Sequence, residues 1–327
     1  MRALVLAAPN QLEIQDWPRL RPAPEEAEIA VTAAGICTSD IAGFLGCTRH
    51  HVSPLILGHE LVGHTPDGRR VVADPLLGCG HCAECKAGAP NLCPLLRLLG
   101  RDHTPGCFAE FVTIPESQIH QIPPHLSDAQ ALYAEPLANI VHMFRRTVPP
   151  PFFCMGIVGA GIMGSLALKM SLRLGVREVL VEDVNESRLA AARQMGATLA
   201  VSFDADQGEA RNFAGHGLDL VVDACGEPEA RQRAFDLCRP GGTVVLLGTA
   251  SARSEIDFAA SIRKEHRVVM SFGYTPEDFK RSLAMLVAGE IDMSPWTAEM
   301  PLEQGQQAFQ KMSASRGETL KMVLSVR

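Results

Sequence analysis

The sequence predicts a two-domain α/β protein, in which an irregular, β-rich first domain precedes a doubly wound parallel sheet. Three observations lead to this prediction. Short β-type runs separated by Gly and Pro fill the first part of the chain, apolar strands alternate with helices in the second part, and a glycine-rich turn opens that alternation. A length of 327 residues also suits two domains better than one simple core.

The first domain is predicted to span residues 1–142. Its opening residues MRALVLAAP look like the start of a signal peptide, but the polar residues QLEIQD follow at once, so we expect a first strand instead. The prolines of 148–151 cannot continue a helix or a central strand, and they indicate a boundary to the next domain. Gly and Pro turns separate the later β-type runs, at 28–34, 70–74 and 108–114.

The second domain is predicted to span residues 143–274, followed by a tail, 275–327. Strand and helix in turn are typical of a parallel sheet covered on both faces. The predicted strands of this sheet are 152–158, 179–181, 218–222, 243–247 and 268–271. The predicted elements of the tail are helices over 279–288 and 302–312 and a strand over 320–326.

The composition is that of a globular protein, with 46% hydrophobic and 20% charged residues. The net charge of −7 and the scattered basic residues argue against nucleic acid or an anionic membrane as partner, so we expect a small molecule. The uncharged stretch 152–168 is nearly long enough to span a membrane, but four glycines interrupt it, and we expect no membrane span. Ten cysteines without a signal peptide indicate a reducing cytoplasm, where thiols serve as metal ligands.

Four cysteines, Cys79, Cys82, Cys85 and Cys93, have two, two and seven residues between them. Thiolates bind zinc tetrahedrally, and this short Gly- and Ala-rich segment has no core of its own, so the spacing predicts a zinc site. A site with four protein ligands has no open position and is therefore structural. The alternatives are two disulfides, which need an oxidising compartment, or four unrelated small buried residues.

Gly159, Gly161 and Gly164 form a GxGxxG motif between an apolar strand and a helix that extends to about residue 174. Asp183 follows nineteen residues after the last of these glycines, at the end of the next strand. This order is typical of the Rossmann dinucleotide fold, in which the diphosphate lies at the positive N-terminus of the helix. The alternative is a structural turn that uses glycine only for packing.

The cysteine segment and the glycine turn, in this order, resemble the zinc-dependent medium-chain dehydrogenase/reductase family, and in particular its polyol (sorbitol, sugar-alcohol) and threonine dehydrogenase branch. Three further motifs add to the resemblance: GICTSD at 35–40, GHE at 58–60 and AEPLA at 134–138. The resemblance implies a GroES-like catalytic domain with its structural zinc lobe near 76–97. It also implies that the tail returns to pack on that first domain.

The same resemblance implies a catalytic zinc with an open position, held by Cys37, His59 and one or both of Glu60 and Glu135. It further implies that Ser39 relays the proton of the alcohol. Taken singly, each of these residues has an ordinary reading: a core thiol, a buried histidine, solvated carboxylates and a turn serine. Which glutamate binds the metal directly stays open at this point.

Cofactor contacts are implied in the same way. Asp183 should accept hydrogen bonds from the adenosine ribose and repel a 2′-phosphate, which favours NAD over NADP. Its neighbour Glu182 is the alternative for that role, and Arg188, five residues after Asp183, leaves NADP as the less favoured cofactor. The remaining implied contacts are Gly159, Gly161, Ile162, Met163 and Gly164 in the glycine turn, and Gly226, Leu247, Gly248, Thr249, Phe272 and Gly273 at the ends of later strands. Plain strand-ending turns are the alternative for the second set.

The chain departs from the branch at Ala42 and Gly43, where relatives carry a histidine and an aromatic residue. Phe44 with His50 and His51 then lines a wider or more apolar pocket, or the two histidines belong to an exposed loop. The resemblance thus implies an oxidoreductase that transfers hydride between a secondary alcohol, polyol-like, or its ketone and NAD, as a homodimer or homotetramer. The alternatives are an alcohol dehydrogenase or carbonyl reductase for larger apolar substrates, and a catalytically silent cofactor-binding relative.

Overall fold

The computed structural model describes residues 1–147, 154–204, 208–314 and 319–326. The proline-rich boundary predicted at 148–151 and the first two residues of the strand predicted at 152–158 lie outside these ranges. The chain forms two compact units. The first contains Met1–Glu135 and the described parts of 275–315 and 321–327, and the second contains Pro136–Tyr274 with the described part of 316–320.

The first unit is built mainly from strands with short connecting helices. Its strands are β1 (Arg2–Ala8), β2 (Gln11–Asp16), β3 (Glu26–Ile36), β4 (Leu55–Ile56), β5 (Glu60–His64), β6 (Arg70–Ala73), β7 (Leu76–Leu77), β8 (Arg97–Leu98), β9 (Phe111–Pro115) and β10 (Ile119–Gln121), with β17 (Thr297–Pro301) and β18 (Lys321–Ser325) from the tail. Its helices are α1 (Thr38–Phe44), α2 (Ala83–Lys86), α3 (Asp128–Ala131), α10 (Pro276–Val287) and α11 (Gly305–Ala314).

The central sheet of this unit has the order β10-β6-β5-β3-β18-β17, and β9 pairs with the first half of β3. The tail strand β18 runs antiparallel to β3, with Leu324 opposite Ala34, so the tail adds strands to the central sheet of the first unit. An aromatic group of α1, α11 and the segment before β9 fills the core beside the sheet. In that group the Phe309 ring lies 5.3 Å from the Phe44 ring and 5.8 Å from the Phe108 ring.

The second unit is a six-stranded sheet in the order β13-β12-β11-β14-β15-β16, and every adjacent pair in it is parallel. The chain winds outward from β11 in both directions, which confirms the predicted doubly wound sheet. The strands are β11 (Cys154–Val158), β12 (Glu178–Asp183), β13 (Leu199–Ser202), β14 (Leu218–Asp223), β15 (Cys238–Leu246) and β16 (Arg267–Met270). The helices of this segment are α4 (Ala134–Thr147), which begins two residues before the unit does, α5 (Ile162–Arg173), α6 (Glu186–Met195), α7 (Gly208–Ala214), α8 (Pro228–Leu237) and α9 (Phe258–Arg263).

The cysteines and the apolar stretches have the expected local states. All ten cysteines are free thiols, so the disulfide alternative for the cysteine segment is excluded in this structure. In the described ranges, no helix is both long and apolar enough to cross a membrane. The cytoplasmic location stays a prediction.

Candidate metal centres and dinucleotide site

The four cysteines of the predicted zinc lobe converge, with their Sγ atoms all within 4.8 Å of one another. The chain turns tightly through this segment. Cys82 is the N-cap of α2, and its Sγ accepts a hydrogen bond from the backbone N–H of Cys85 at 3.4 Å. Cys93 follows a turn of 3₁₀-helix, Pro90–Leu92, which brings the fourth sulfur back to the first three.

Backbone N–H groups point at these sulfurs. Cys79 Sγ accepts from Cys82 N–H at 3.4 Å, and Cys93 Sγ accepts from Cys79 N–H at 3.4 Å. Hydrogen bonds from the backbone of His81 and Cys82 lower the pKa of Cys79 to about 6. Backbone donors stabilise thiolate over thiol, and thiolate is the form that binds metal. Four sulfurs in this arrangement fit one tetrahedral zinc ion with no position left for a substrate.

A second group with metal-binding potential consists of Cys37, His59 and Glu60, whose ligand atoms also lie within 4.8 Å of one another. Cys37 is the N-cap of α1, immediately after β3, and the two other residues stand at the start of β5. Adjacent strands β3 and β5 pair at this end, with Gly35 opposite Glu60. The group therefore depends on strand pairing and not on sequence proximity alone.

Asp40 contacts two members of this group, Cys37 and His59. The carboxylate is completely buried, accepts hydrogen bonds from Cys37 N–H at 2.9 Å and Gly58 N–H at 3.2 Å, and lies 3.6 Å from Nδ1 of His59. Burial raises the pKa of Asp40, but the imidazole of His59 and the Cys37 N–H outweigh it and lower the pKa overall. A carboxylate beside the second ring nitrogen orients a metal-binding histidine.

Glu60 is held from the opposite direction by Lys321. Both side chains are buried, and Lys321 Nζ forms an ion pair with Oε2 of Glu60 while lying 5.6 Å from the centre of the Tyr133 ring. Burial lowers the pKa of Lys321, but the Glu60 carboxylate and the Cys37 sulfur raise it by more, so the ammonium stays charged. Oε1 of Glu60 is buried without a hydrogen-bond partner in the described structure, so this oxygen is available to a metal ion.

Sequence reasoning identified neither Asp40 nor Lys321 as part of this group. Asp40 carries a local signal, because an acidic residue three positions after an N-cap often bonds back to the cap. Lys321 has no such signal, since 261 residues separate it from Glu60.

The other predicted catalytic residues have separate positions. Ser39 is half-buried in the first turn of α1, two residues after Cys37. Glu135 is half-buried in the first turn of α4, and it is not one of the three residues whose ligand atoms group together. The structure thus brings Cys37 and His59 together with Glu60.

Phe44, His50 and His51 do not have the positions that the sequence predicted for them. The prediction that Phe44 lines a pocket is wrong, because its ring is 2% exposed and packs in the core. His50 reaches solvent, and its Nδ1 lies 2.8 Å from Asp102 Oδ1, whereas His51 is only 7% exposed. The two histidines are therefore neither a common pocket wall nor a common exposed loop.

The predicted dinucleotide turn lies between β11 and α5. Gly159 has φ of +101°, a left-handed conformation that favours glycine, and a side chain on Gly164 would overlap the carbonyl oxygen of Gly159. A side chain on Gly161, the N-cap of α5, would meet nothing within 4 Å. Two of the glycines are thus required by the turn itself, and the third leaves open space at a helix N-terminus, where a diphosphate binds in this fold.

Asp183 ends β12 beside this turn, and its carboxylate accepts hydrogen bonds from Ala160 N–H at 2.7 Å and Asn185 N–H at 2.8 Å. Arg188 approaches the same carboxylate at 3.6 Å. Glu182, the alternative, is buried in a two-pronged ion pair with Arg233, with distances of 2.7 and 2.9 Å. Glu182 is therefore engaged in the interior, and Asp183 is the acid at the turn.

Several of the remaining predicted contacts lie at the carboxyl ends of the other strands. A side chain on Gly226, after β14, would overlap the backbone of Gly248, after β15, so these two turns touch directly. Asp223 supports them by accepting from the N–H of Gly226 at 2.7 Å, and burial raises the pKa of this carboxyl. The residues after β15 and β16 complete this edge of the sheet: Leu247, Thr249, Phe272 and Gly273.

Two family models match the chain. The alcohol dehydrogenase GroES-like domain matches residues 23–124, and the zinc-binding dehydrogenase domain matches residues 163–288. Together they span more than half of the chain.

Relatives match over nearly the whole length. L-threonine 3-dehydrogenase of Saccharopolyspora erythraea is 30% identical over 97% of this chain and 97% of its own, and sorbitol dehydrogenase of Bacillus subtilis is 28% identical over 99% and 97%. An E. coli CFT073 alcohol dehydrogenase, solved with NADH, is 26% identical with a TM-score of 0.91 over 100% of this chain and 99% of its own. A Sinorhizobium meliloti 1021 protein, solved with NADP, is also 26% identical with a TM-score of 0.91, over 99% of both chains.

The four-cysteine group and the Cys37 group lie within the matched GroES-like range, and the zinc-binding dehydrogenase match begins inside the glycine turn, one residue before Gly164. The predicted resemblance is therefore confirmed, and the chain belongs to the zinc-dependent medium-chain dehydrogenase/reductase family, in its polyol and threonine dehydrogenase branch.

Proposed function

We propose that this protein is a zinc-dependent, NAD-linked dehydrogenase that transfers hydride between a polyol-like secondary alcohol, or its ketone, and the nicotinamide ring. The single observation that carries the proposal is the group formed by Cys37, His59 and Glu60, with one oxygen of Glu60 unpaired. Named relatives that oxidise threonine or sorbitol support the substrate class. The intact group argues against a silent relative.

These residues fit a catalytic zinc, because a thiolate, an imidazole and a carboxylate leave the fourth position open. Zinc bound there supplies Lewis acidity that lowers the pKa of an alcohol, while the nicotinamide accepts the hydride. Asp40 orients His59, and Lys321 holds one oxygen of Glu60 while the other has no partner in the described structure. Ser39 would relay the alcohol proton outward, accepting it while passing its own hydroxyl proton toward solvent, and Glu135 would act through a water molecule or as a ligand in addition to these three.

The cysteine lobe is proposed to hold a second zinc ion per chain, with a structural role. Its four sulfurs and their backbone N–H donors support this proposal. Zinc in such a lobe contributes directly to folding free energy. The catalytic zinc, with its open position, should be the more easily removed ion.

NAD is proposed as the cofactor in preference to NADP. The carboxylate of Asp183 at the end of β12 supports NAD, because it would repel a 2′-phosphate. Arg188, at 3.6 Å, weakens that repulsion without removing the acid. Solved relatives carry either NADH or NADP, so the preference rests on these two residues.

We also expect the protein to be a homodimer or homotetramer. β16 is the outer strand of the six-stranded sheet, and its side chains Val268 and Met270 are 43% and 71% exposed. An outer strand with exposed apolar side chains is prone to pair with another chain.

Metal content tests the two zinc sites. Elemental analysis of metal-replete protein should give two zinc ions per chain, and a mild chelator should remove one of them first. Cys82→Ser should lose the structural ion and lower the melting temperature, whereas Cys37→Ser should lose the other ion with little change in folding. Cys225→Ser, an exposed cysteine outside both groups, is the control and should keep both ions. One ion per chain in the unmodified protein would remove one of the two sites from the proposal.

Cofactor preference tests the role of Asp183. The unmodified enzyme should have a higher kcat/KM with NAD than with NADP, and Asp183→Ser should reduce the ratio by about tenfold or more, because the repelling charge is gone. Glu186→Ser, an exposed acid in the next helix, should leave the ratio unchanged. Equal use of both cofactors by the unmodified enzyme contradicts the proposal.

A double-mutant cycle tests the Lys321–Glu60 pair. Lys321→Met should lower the free energy of unfolding by about 3–5 kcal/mol, because it leaves a buried carboxylate without its partner. Adding Glu60→Gln should recover part of that loss, so the two effects are not additive. Both are measured by denaturant unfolding of the zinc-depleted protein. Additive effects would mean that the two side chains do not interact.

Ser39→Ala tests the proton relay. The variant should bind zinc normally and lower kcat by about 10²–10⁴-fold, the usual range for lost acid–base assistance. Thr38→Ala, an exposed neighbour in the same turn of α1, should retain kcat. Full activity of Ser39→Ala across the pH range would assign the relay to another group.

A further inference from the structure

Two loops of the first unit meet beside α1, and they bring together His51 and Arg101, which the proposed chemistry does not use. The contact between the loops is made by the neighbouring residues His50 and Asp102. The backbone N–H of Asp102 donates to the carbonyl oxygen of His50 at 2.8 Å, and the Asp102 carboxylate bonds the His50 ring. This double connection fixes the loops against each other at residues 50 and 102. The adjacent residues, His51 on one loop and Arg101 on the other, flank the junction.

His51 is buried without hydrogen-bond partners. It is 7% exposed, and neither ring nitrogen has a partner in the described structure. The ring lies on Gly43, where an added Cβ would stand 2.5 Å from its Cγ atom. The small residue at position 43 therefore makes the room that the imidazole occupies. Buried polar groups are nearly always paired, so this ring indicates a missing hydrogen-bonding partner.

Arg101 is half-buried, and one atom of its guanidinium likewise lacks a partner. Its Nε is buried without a partner, and its guanidinium forms no ion pair with any carboxylate in the described ranges. Asp102, the nearest acid in sequence, is engaged by His50. An arginine that is partly withdrawn from water and lacks a counter-charge is costly, and a bound anion would remove that cost.

The two residues border the Cys37 group. Gly43, under the His51 ring, lies on α1, whose N-cap is Cys37. Gly100, next to Arg101, packs against Gly58, because an added Cβ there would stand 2.7 Å from Gly58 N. Gly58 directly precedes His59. A ligand that reaches His51 and Arg101 is therefore close to the proposed catalytic zinc.

Burial lowers the pKa of His51, and the positive charge of Arg101 lowers it further against the opposing effect of Asp40. At neutral pH the ring is therefore uncharged, with one nitrogen that donates and one that accepts. Arg101 adds a planar fork of donors that matches an oxyanion. Together they offer one cation, one neutral donor and one acceptor.

We propose that His51 and Arg101 bind an oxyanion of the substrate, so that the preferred substrates are acidic polyols that carry a carboxylate or phosphate at the end remote from the reacting carbon. The N–H of the His51 ring donates to the oxyanion, and its unprotonated nitrogen accepts a hydrogen bond from a neighbouring hydroxyl of the substrate. This inference rests on the proposed dehydrogenase function, since it names the substrate class of the same site.

Matched substrates test the inference. Gluconate and sorbitol differ only in whether C1 is a carboxylate or a hydroxymethyl group, and sorbitol 6-phosphate adds a phosphate at the other end. We expect kcat/KM with NAD to be higher for at least one of the two anions than for sorbitol. The anion that is preferred identifies the carboxylate or the phosphate as the group that is bound. Sorbitol equal to or better than both anions overturns the inference and leaves the dehydrogenase function intact.

Variants of Arg101 and His51 test whether these residues cause the preference for anionic substrates. Arg101→Gln should lower kcat/KM for the preferred anion by about 10- to 100-fold, the range for a hydrogen bond to a charged group, and change sorbitol turnover little. His51→Gln should reduce the same preference, and Arg101→Lys should retain part of it. Arg97→Gln in β8 and His103→Asn in the turn after Asp102, both at exposed positions, are the controls and should keep the preference. An equal loss for sorbitol and the anion in Arg101→Gln would indicate a structural role and overturn the inference.

Binding separates this inference from the function on which it rests. With NADH bound, gluconate and sorbitol 6-phosphate cannot transfer hydride, so calorimetry of the zinc-replete protein measures binding alone. Binding of either anion that falls at least tenfold in Arg101→Gln supports the inference even if neither compound is oxidised. If neither anion binds the unmodified protein, the inference is wrong, whether or not sorbitol is oxidised.

Discussion

The buried ion pair between Lys321 and Glu60 is the interaction on which the first unit depends most. It joins the tail strand β18 to β5, which begins at Glu60, across β3. Gly35 on β3 lies between the two side chains, and any side chain there would overlap Oε2 of Glu60. Two charges in a dry interior are tolerated only because each neutralises the other. The return of the tail is therefore part of the proposed metal site as well as of the sheet.

Asp40 complements that pair from the other side of the group. Lys321 holds Glu60, and Asp40 holds His59 and the backbone of Cys37, so each proposed ligand has a second partner that limits its movement. Ligands restrained in this way lose less entropy when a metal binds. Because Lys321 engages only Oε2 of Glu60, Oε1 has no partner in the described structure. The second unit is organised differently. Its proposed cofactor site consists of the glycine turn, Asp183 at the end of β12 and the N-terminus of α5.

The His51–Arg101 junction contrasts with the Lys321–Glu60 ion pair. There two buried charges neutralise each other, whereas at the junction both ring nitrogens of His51 and Nε of Arg101 have no partner in the described structure. In the sequence alone, Ala42 and Gly43 indicate that the histidine and the aromatic residue of the branch have been lost. In the folded unit the space over Gly43 is taken by an imidazole from another loop.

Local pattern was enough for much of this protein. The cysteine spacing, the glycine turn with Asp183 and the alternation of strand and helix each depend on neighbours in the chain, so the parallel sheet, the four-cysteine group and the glycine turn could be predicted. The sequence left open which of two acids stands at each proposed site, Glu60 or Glu135 and Glu182 or Asp183, and whether Phe44 lies in the core or in a pocket. Those choices depend on which side chains meet across strands and loops far apart in the chain. Arg233 engages Glu182, Lys321 engages Glu60 and Phe309 covers Phe44, and only the tertiary structure brings these partners into contact.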